Sequence, residues 1–217
     1  ITMMLADAVG KIKSGKYKDF DMTPDERNEL YIAAWLHDCG KVATPTHIVD
    51  KGTKLEKIFD RIDIIKNKFE VLRRDKEIEF LKKTYKLKNS DKTALKKLKS
   101  EYKRQMEQLD EDEAFLEQCN IGGEFMLEEL QERVIRISKY PFKEKGKKKP
   151  FLSKDEVRNL NISKGTLLPE EREIINSHIS ITIEMLEQLP YPKHLKNIPE
   201  FAGGHHEKLD GTGYPRG

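Results

Sequence analysis

Cysteine is almost missing from this chain. Cys39 and Cys119 are the two in 217 residues. That excludes a disulfide framework and a Cys-rich structural zinc site, and it fits a reducing compartment. Long apolar runs are missing too. Nothing approaches the roughly 18 consecutive apolar residues of a membrane span, and no signal peptide is visible. Neither sign of charge dominates: 41 basic and 38 acidic side chains leave +3, too little by itself to argue for nucleic acid or a membrane surface. Strand-like alternation and internal repeats are absent. Charged residues, by contrast, make up 36% of the chain, and they are spread through segments with helical spacing, as long solvated helices require. The expectation is an all-α protein, either one substantial domain or a core with an extension. The chain opens inside a helical pattern (Ile1, Met4, Leu5, Ala8, Ile12) and stops at Gly217 just past a motif, so it reads as a fragment of a longer protein.

Thr23-Pro24-Asp25-Glu26 predicts a helix start, with Thr23 as cap, Pro24 in the first turn and Glu26 closing a capping box. Leu30, Ala33, Ala34 and His37 follow at i, i+3, i+4, i+7, which puts His37 on the core-facing side. Gly40 then ends the helix. From Leu55 a long charged helix is predicted on the stripe Leu55, Ile58, Phe59, Ile62, Ile65, Phe69, Leu72, spaced like a coiled coil. Asn89-Ser90-Asp91 reads as a hinge. A returning stripe, Leu95, Leu98, Tyr102, Met106 or Leu109, Phe115 and Leu116, makes an antiparallel hairpin with arms of roughly 45 Å. Its apolar stripe needs a cover, either the other arm or a partner chain, so the hairpin is a candidate dimerisation or regulatory arm. Gly122-Gly123 interrupts the return arm, and a further helix is expected from about Glu124 to Ile137.

The run from Lys143 to Pro150 reads as a solvated loop. Its lysines suit nucleotide phosphates, but no aromatic residues interleave with them. A short hairpin is expected near residues 150–165. Leu168-Pro169-Glu170-Glu171 then starts a helix whose buried face is Ile174, Ile175, His178, Ile179, Thr182, Leu186 and Leu189, and Pro190 and Pro192 end it. A last short helix carries Ile198, Phe201, Ala202 and His205. Gly211 and Gly213 form a turn around Thr212, closed by Tyr214-Pro215.

Three predicted helices thus each bring a histidine onto an apolar stripe: His37, His178 and His205. Asp38 and His206 stand beside two of them. Burying so many imidazoles without partners is costly, and metal ligation satisfies them together. Asp38 has two oxygens and can bridge two cations, which in two-metal sites sit about 3.5–4 Å apart and suit in-line attack on a phosphodiester. A nitrogen-rich set favours Fe, Mn, Zn, Ni or Co over Mg or Ca. Lys41, three residues on, can reach the same mouth and hold a phosphate oxygen. Cys39 is expected to point about 100° away from Asp38 and to pack. His47 and His194, each in a loop beside proline, read as non-ligands.

His37-Asp38 with Lys41, followed by His205-His206-Glu207, Asp210-Gly211 and Gly213-Tyr214-Pro215, resembles the HD-GYP domains, a branch of the HD metal-dependent phosphohydrolases. Thr44-Pro45, Ile48-Val49-Asp50-Lys51, Gly165-Thr166 and Pro169-Glu170-Glu171 are similar to that family as well. The likeness is anchored in residues 30–56 and 163–217. It implies an all-α HD-superfamily helical core, with residues 1–54 as its N-terminal part and 166–217 as its C-terminal part. Residues 55–140 are then a helical hairpin insertion with its return helix, and 141–165 a basic linker. It also implies a bacterial cyclic di-GMP phosphodiesterase yielding pGpG or GMP. The alternatives are a phosphohydrolase of another cyclic nucleotide such as cyclic GMP-AMP, or a non-catalytic receptor. On this resemblance His37 ligates the first metal, Asp38 bridges, and His178, His205 and His206 complete the second. Lys41 contacts the scissile phosphate. Asp210, Gly211, Gly213, Tyr214 and Pro215 shape the substrate pocket, and Glu207 supports the ligands from behind. Two divalent ions, with a third in the parent protein, are implied, iron or manganese first. The family's further upstream histidine has no counterpart before His37, and its later aspartate ligand would lie beyond Gly217. A cytoplasmic output domain with N-terminal sensor domains in the parent chain is the expected setting.

Overall fold

The computed structural model describes residues 1–87, 92–123 and 125–217. The protein is all-α; the one sheet among the described residues is a two-stranded hairpin. The chain divides into two compact units, Ile1–Val49 with Glu170–Gly217, and Asp50–Pro169.

The first unit holds α1 (Thr2–Val9), α2 (Pro24–Leu36), a 3-10 turn (Cys39–Ala43), the single turn α3 (Thr46–Val49), α8 (Pro169–Asn176), α9 (His178–Glu187) and α10 (Ile198–Gly203). The capping box forms as expected: Glu26 N–H donates to Thr23 Oγ1 at 3.3 Å and Thr23 N–H to Glu26 Oε2 at 2.8 Å. Ala33, Leu186, Ile198 and Ala202 form the core, with Cys39 packed against it. Glu29, 3% exposed, accepts from Asn197 N–H at 2.6 Å and from Asn197 Nδ2 at 3.1 Å. A buried carboxylate on α2 therefore satisfies orphan donors at the start of α10 and ties the two helices together.

The second unit is built on α4 (Ile62–Lys86) and α5 (Lys92–Ile121), joined by α6 (Glu128–Ser138), strands β1 (Phe142–Glu144) and β2 (Lys147–Lys149), and α7 (Lys154–Leu160). The arms run antiparallel: Lys66 pairs with Glu117 at 2.6 Å, Arg73 with Asp110 at 2.7 Å, and Phe80 stacks on Tyr102 at 4.6 Å. Ile65, Phe69 and Leu72 of one arm and Leu109 and Leu116 of the other lie in one core, so the apolar stripe finds cover inside the chain. Phe151 is the aromatic centre, edge-on to Phe69 at 4.8 Å and to Phe142 at 6.0 Å. Asp112, 3% exposed, accepts from Arg133 Nε at 3.0 Å and from the Tyr140 hydroxyl. Burial first, then that carboxylate, pushes the Tyr140 phenol strongly up.

Four expectations need correction. The helix expected from Leu55 starts at Ile62. Glu56 Oε2 accepts the N–H groups of Gly52 and Thr53, and Asp60 accepts from Thr53 Oγ1 and Ile62 N–H. These local side-chain bonds compete with the helical ladder, and they leave Ile58 96% exposed, off the stripe. The hairpin lies at 142–149, not near 150–165, and takes up most of the run read as a loop. Its two-residue turn is Lys145-Gly146, with φ of 50° and 77°, the left-handed pair that suits tight hairpins. Residues 153–160 instead form α7, opened by a Ser153–Glu156 capping box. The helix expected from Pro169 to Leu189 breaks at Ser177, and α10 ends before His205. The Asn89–Asp91 hinge and the Glu124 helix start lie outside the described residues; the return helix is described from Glu128.

Phe151→Ala should lower stability by about 3–5 kcal/mol in urea unfolding. A loss under about 1 kcal/mol would mean that the aromatic centre collapses without it. Asp155, bonded to Arg61 at 2.6 Å, is held below its ordinary 3.8 first by that bond, against burial. A lowered folded pKa adds stability above the unfolded pKa that is lost as pH falls through the folded one. Asp155→Asn should thus be less stable than the parent at about pH 6, and the difference should shrink by about pH 3, in urea midpoints.

Candidate metal centre

Each of three histidines stands at or just past the C-terminus of a helix: His37 caps α2, His178 follows α8 across Ser177, and His205 follows α10. Each makes the same bond. His37 Nδ1 meets Ala34 O at 2.7 Å, His205 Nδ1 meets Ala202 O at 2.6 Å, and His178 Nδ1 meets Ile175 O. A carbonyl oxygen only accepts, so Nδ1 carries the proton in all three rings. In the neutral imidazole Nε2 then keeps its lone pair. The three carbonyls belong to last turns, where helices lack intrahelical donors.

The free Nε2 atoms converge on Asp38. His37 Nε2 lies 3.2 Å from Oδ2; His178 Nε2 lies 3.2 Å and His205 Nε2 3.6 Å from Oδ1. Asp38 Oδ1 and His178 Nε2 are buried and have no hydrogen-bond partner. Lone pair faces lone pair, an arrangement that is costly without a cation. His178, His205 and His206 form one group, and His37, Asp38 and His205 another, with donor atoms inside each group within 4.8 Å of one another. His205 belongs to both. The C-termini of α2 and α10, the negative ends of their dipoles, add a field that favours positive charge, while at His178 the end of α8 meets the start of α9. The residues present fit divalent metal ions on these grounds.

The electrostatics agree. Burial, then neighbouring histidines, press the His205 and His206 rings below the ordinary histidine value; Asp38 opposes this at both rings and the Ala202 carbonyl at His205, while the Lys41 charge adds to it at His206. Burial works to raise Asp38, but the Lys41 hydrogen bond and the charges of His37, Lys41 and His178 hold it below the carboxylate range. Neutral imidazoles and an ionised carboxylate are the forms that ligate metal. Lys41 Nζ donates to Asp38 Oδ2 at 2.8 Å.

Gly40 and Thr182 hold the Asp38 turn in place. Gly40 N–H donates to Thr182 Oγ1 at 2.9 Å, and Thr182 Oγ1 donates to His37 O at 3.3 Å. A Cβ at Gly40 would sit 2.2 Å from the His178 carbonyl oxygen, so only glycine lets the turn lie against α9. In the sequence Gly40 reads only as a helix stop and Thr182 only as part of a buried face. A threonine among isoleucines on a buried stripe was the available signal, since a buried hydroxyl needs partners.

The terminal loop is ordered by its own side chains. Tyr214 stacks on His206 at 4.7 Å, with planes 16° apart. Gly213 passes so close to the 206–208 backbone that a Cβ would lie 2.5 Å from Glu207 Cα. Asp210 accepts from Thr212 N–H at 3.0 Å and from Thr212 Oγ1 at 2.7 Å, and Gly211 takes φ 73°. Glu207 Oε1 accepts Arg216 N–H at 2.8 Å, bracing the loop. Pro215 is exposed beside it. His47 and His194 are exposed and Cys39 packs on the core; none is in either ligand group.

A family model described as the HD domain matches residues 155–217, a stretch with His178, His205 and His206 but without the His37-Asp38 pair. Over 54 residues the chain is 44% identical to the 3'3'-cGAMP-specific phosphodiesterase 3 of Vibrio cholerae serotype O1; the match covers 24% of this chain and 11% of that protein. No solved structure matches. Both likenesses support an HD-GYP-type domain. No helix among the described residues is long and apolar enough to cross a membrane.

Thr182→Val should lower Mn(II) affinity by about 10–100-fold in calorimetry, while Thr182→Ser keeps it. Equal affinities in both variants would remove Thr182 from the support of the site.

Proposed function

We propose that the chain contributes the metal centre of a cyclic dinucleotide phosphodiesterase. The observation that carries this reading is the set of unprotonated Nε2 atoms closed around a carboxylate with an orphaned oxygen. His37, His178, His205 and His206 would hold the ions, and Asp38 would bridge them through its two oxygens. Divalent ions there, Fe or Mn first, would supply Lewis acidity toward a phosphoryl oxygen and a more acidic water. Lys41 presents an ammonium beside Asp38 and would hold a phosphate oxygen and offset charge gained in the transition state. Tyr214, fixed flat against His206, offers a face for a base. Asp210, Gly211, Gly213 and Pro215 set the loop that carries it, and the Glu207–Arg216 contact stiffens that loop.

Cyclic di-GMP is the substrate that the HD-GYP resemblance favours. The second reading, 3'3'-cGAMP, is favoured by the specificity in the name of the Vibrio cholerae relative. Product chromatography after anaerobic loading with Fe(II) or Mn(II) tests both. Linear dinucleotide or mononucleotide from one substrate, and none from Asp38→Ala, is the expected result. Parent-like turnover by Asp38→Ala would sink the assignment, and tight binding without product at full metal loading would make the domain a receptor.

A further inference from the structure

In the second unit the basic run closes one side of a cavity of about 680 Å³ between the end of α6, the β-hairpin and α7. Its apolar wall is Tyr140, Pro141, Phe142, Pro150, Leu152 and Val157. Its polar lining is Ser138 and five lysines, 139, 143, 148, 149 and 154, with no acidic residue. Lys149 is paired with Glu144. Among the described residues the other four have no carboxylate within ion-pair distance. Lys143 and Lys148 are moreover direct partners across the two strands, a like-charge pair that opposes hairpin formation. An anion between them reverses the sign of that term. The wall is formed in advance, because the Tyr140 hydroxyl is held by buried Asp112 and the Phe142 ring leans on Phe151 at 6.0 Å. A neighbouring cavity of about 620 Å³ shares Tyr140, Pro141 and Lys143, but Asp75 and Glu79 also line it, so it suits an anion less.

We propose that this cavity is a nucleotide site separate from the metal centre. Phosphates would sit on Lys143 and Lys148, and the planar base against the Tyr140–Pro141–Phe142 wall. The volume lies in the range of small-ligand pockets, and a largely apolar lining with a few convergent charges is their usual composition. Tyrosine, phenylalanine and proline give the flat surface that a ring requires. The proposal stands without the phosphodiesterase reading.

The test is calorimetric titration of the intact chain in EDTA with GTP, and in parallel with tripolyphosphate, which has the charge but no ring. EDTA removes metal-dependent binding at the histidine cluster. GTP should bind the parent chain, tripolyphosphate should bind roughly tenfold or more weaker, and Lys143→Glu/Lys148→Glu should weaken GTP by a similar factor. Hydrogen exchange should slow at residues 138–157 on GTP addition, and Lys143→Gln/Lys148→Gln should give a smaller loss than the double reversal. Absence of GTP binding at about 1 mM, tripolyphosphate binding as tight as GTP, unchanged affinity in the reversed variant, or exchange protection elsewhere would each overturn the proposal.

Discussion

Three bonds from imidazole Nδ1 to a carbonyl three residues earlier govern the chemistry available to this chain. Each satisfies a peptide oxygen that the end of a helix leaves without a donor. Each also sets the tautomer, so the other ring nitrogen presents a lone pair rather than a proton. The same helix end supplies the position and the tautomer. Asp38 completes the set by meeting these nitrogens with acceptors of its own. Such a cluster has the donor set of a divalent-metal site.

Holding it together falls to groups outside the ligand set. Thr182 takes one N–H and gives one O–H to the turn that carries Asp38. Glu29 anchors the start of the helix that leads to His205. Gly40 lets two backbones approach within a distance that no side chain survives. These contacts are backbone-directed, so they fix angles as well as proximity.

What was legible in the sequence was residue type at helical spacing. His37, Asp38, His178, His205 and His206 stand out as a set, and the structure brings them into one cluster. The Thr23–Glu26 box and the paired stripes of the hairpin were readable for the same reason, because their period is local. Competition between neighbours was not. Leu55, Ile58 and Phe59 continue a helical stripe on paper, yet Glu56 and Asp60 take the N–H groups of Gly52, Thr53 and Ile62 and keep the segment out of a helix. Lys145-Gly146 is hidden inside a charge run, and Ser153–Glu156 repeats the capping pattern of Thr23–Glu26. The Nδ1 bonds and the Thr182 hydroxyl depend on where helices end and on a partner far along the chain, which no window of sequence contains.

That distance has a temporal side. Gly40 and Thr182 bond across 142 residues. Closing a flexible loop of that size costs roughly 4 kcal/mol plus a constant in chain entropy, and contacts of such range form late. The first half of the cluster leaves the ribosome long before its complement exists. During that interval His37 and Asp38 have only each other and Lys41 for company. The intervening Asp50–Pro169 unit has its own core and can condense without waiting for His178. Completion of the histidine set is therefore a closing event in biosynthesis, the moment at which the two segments of the first unit meet.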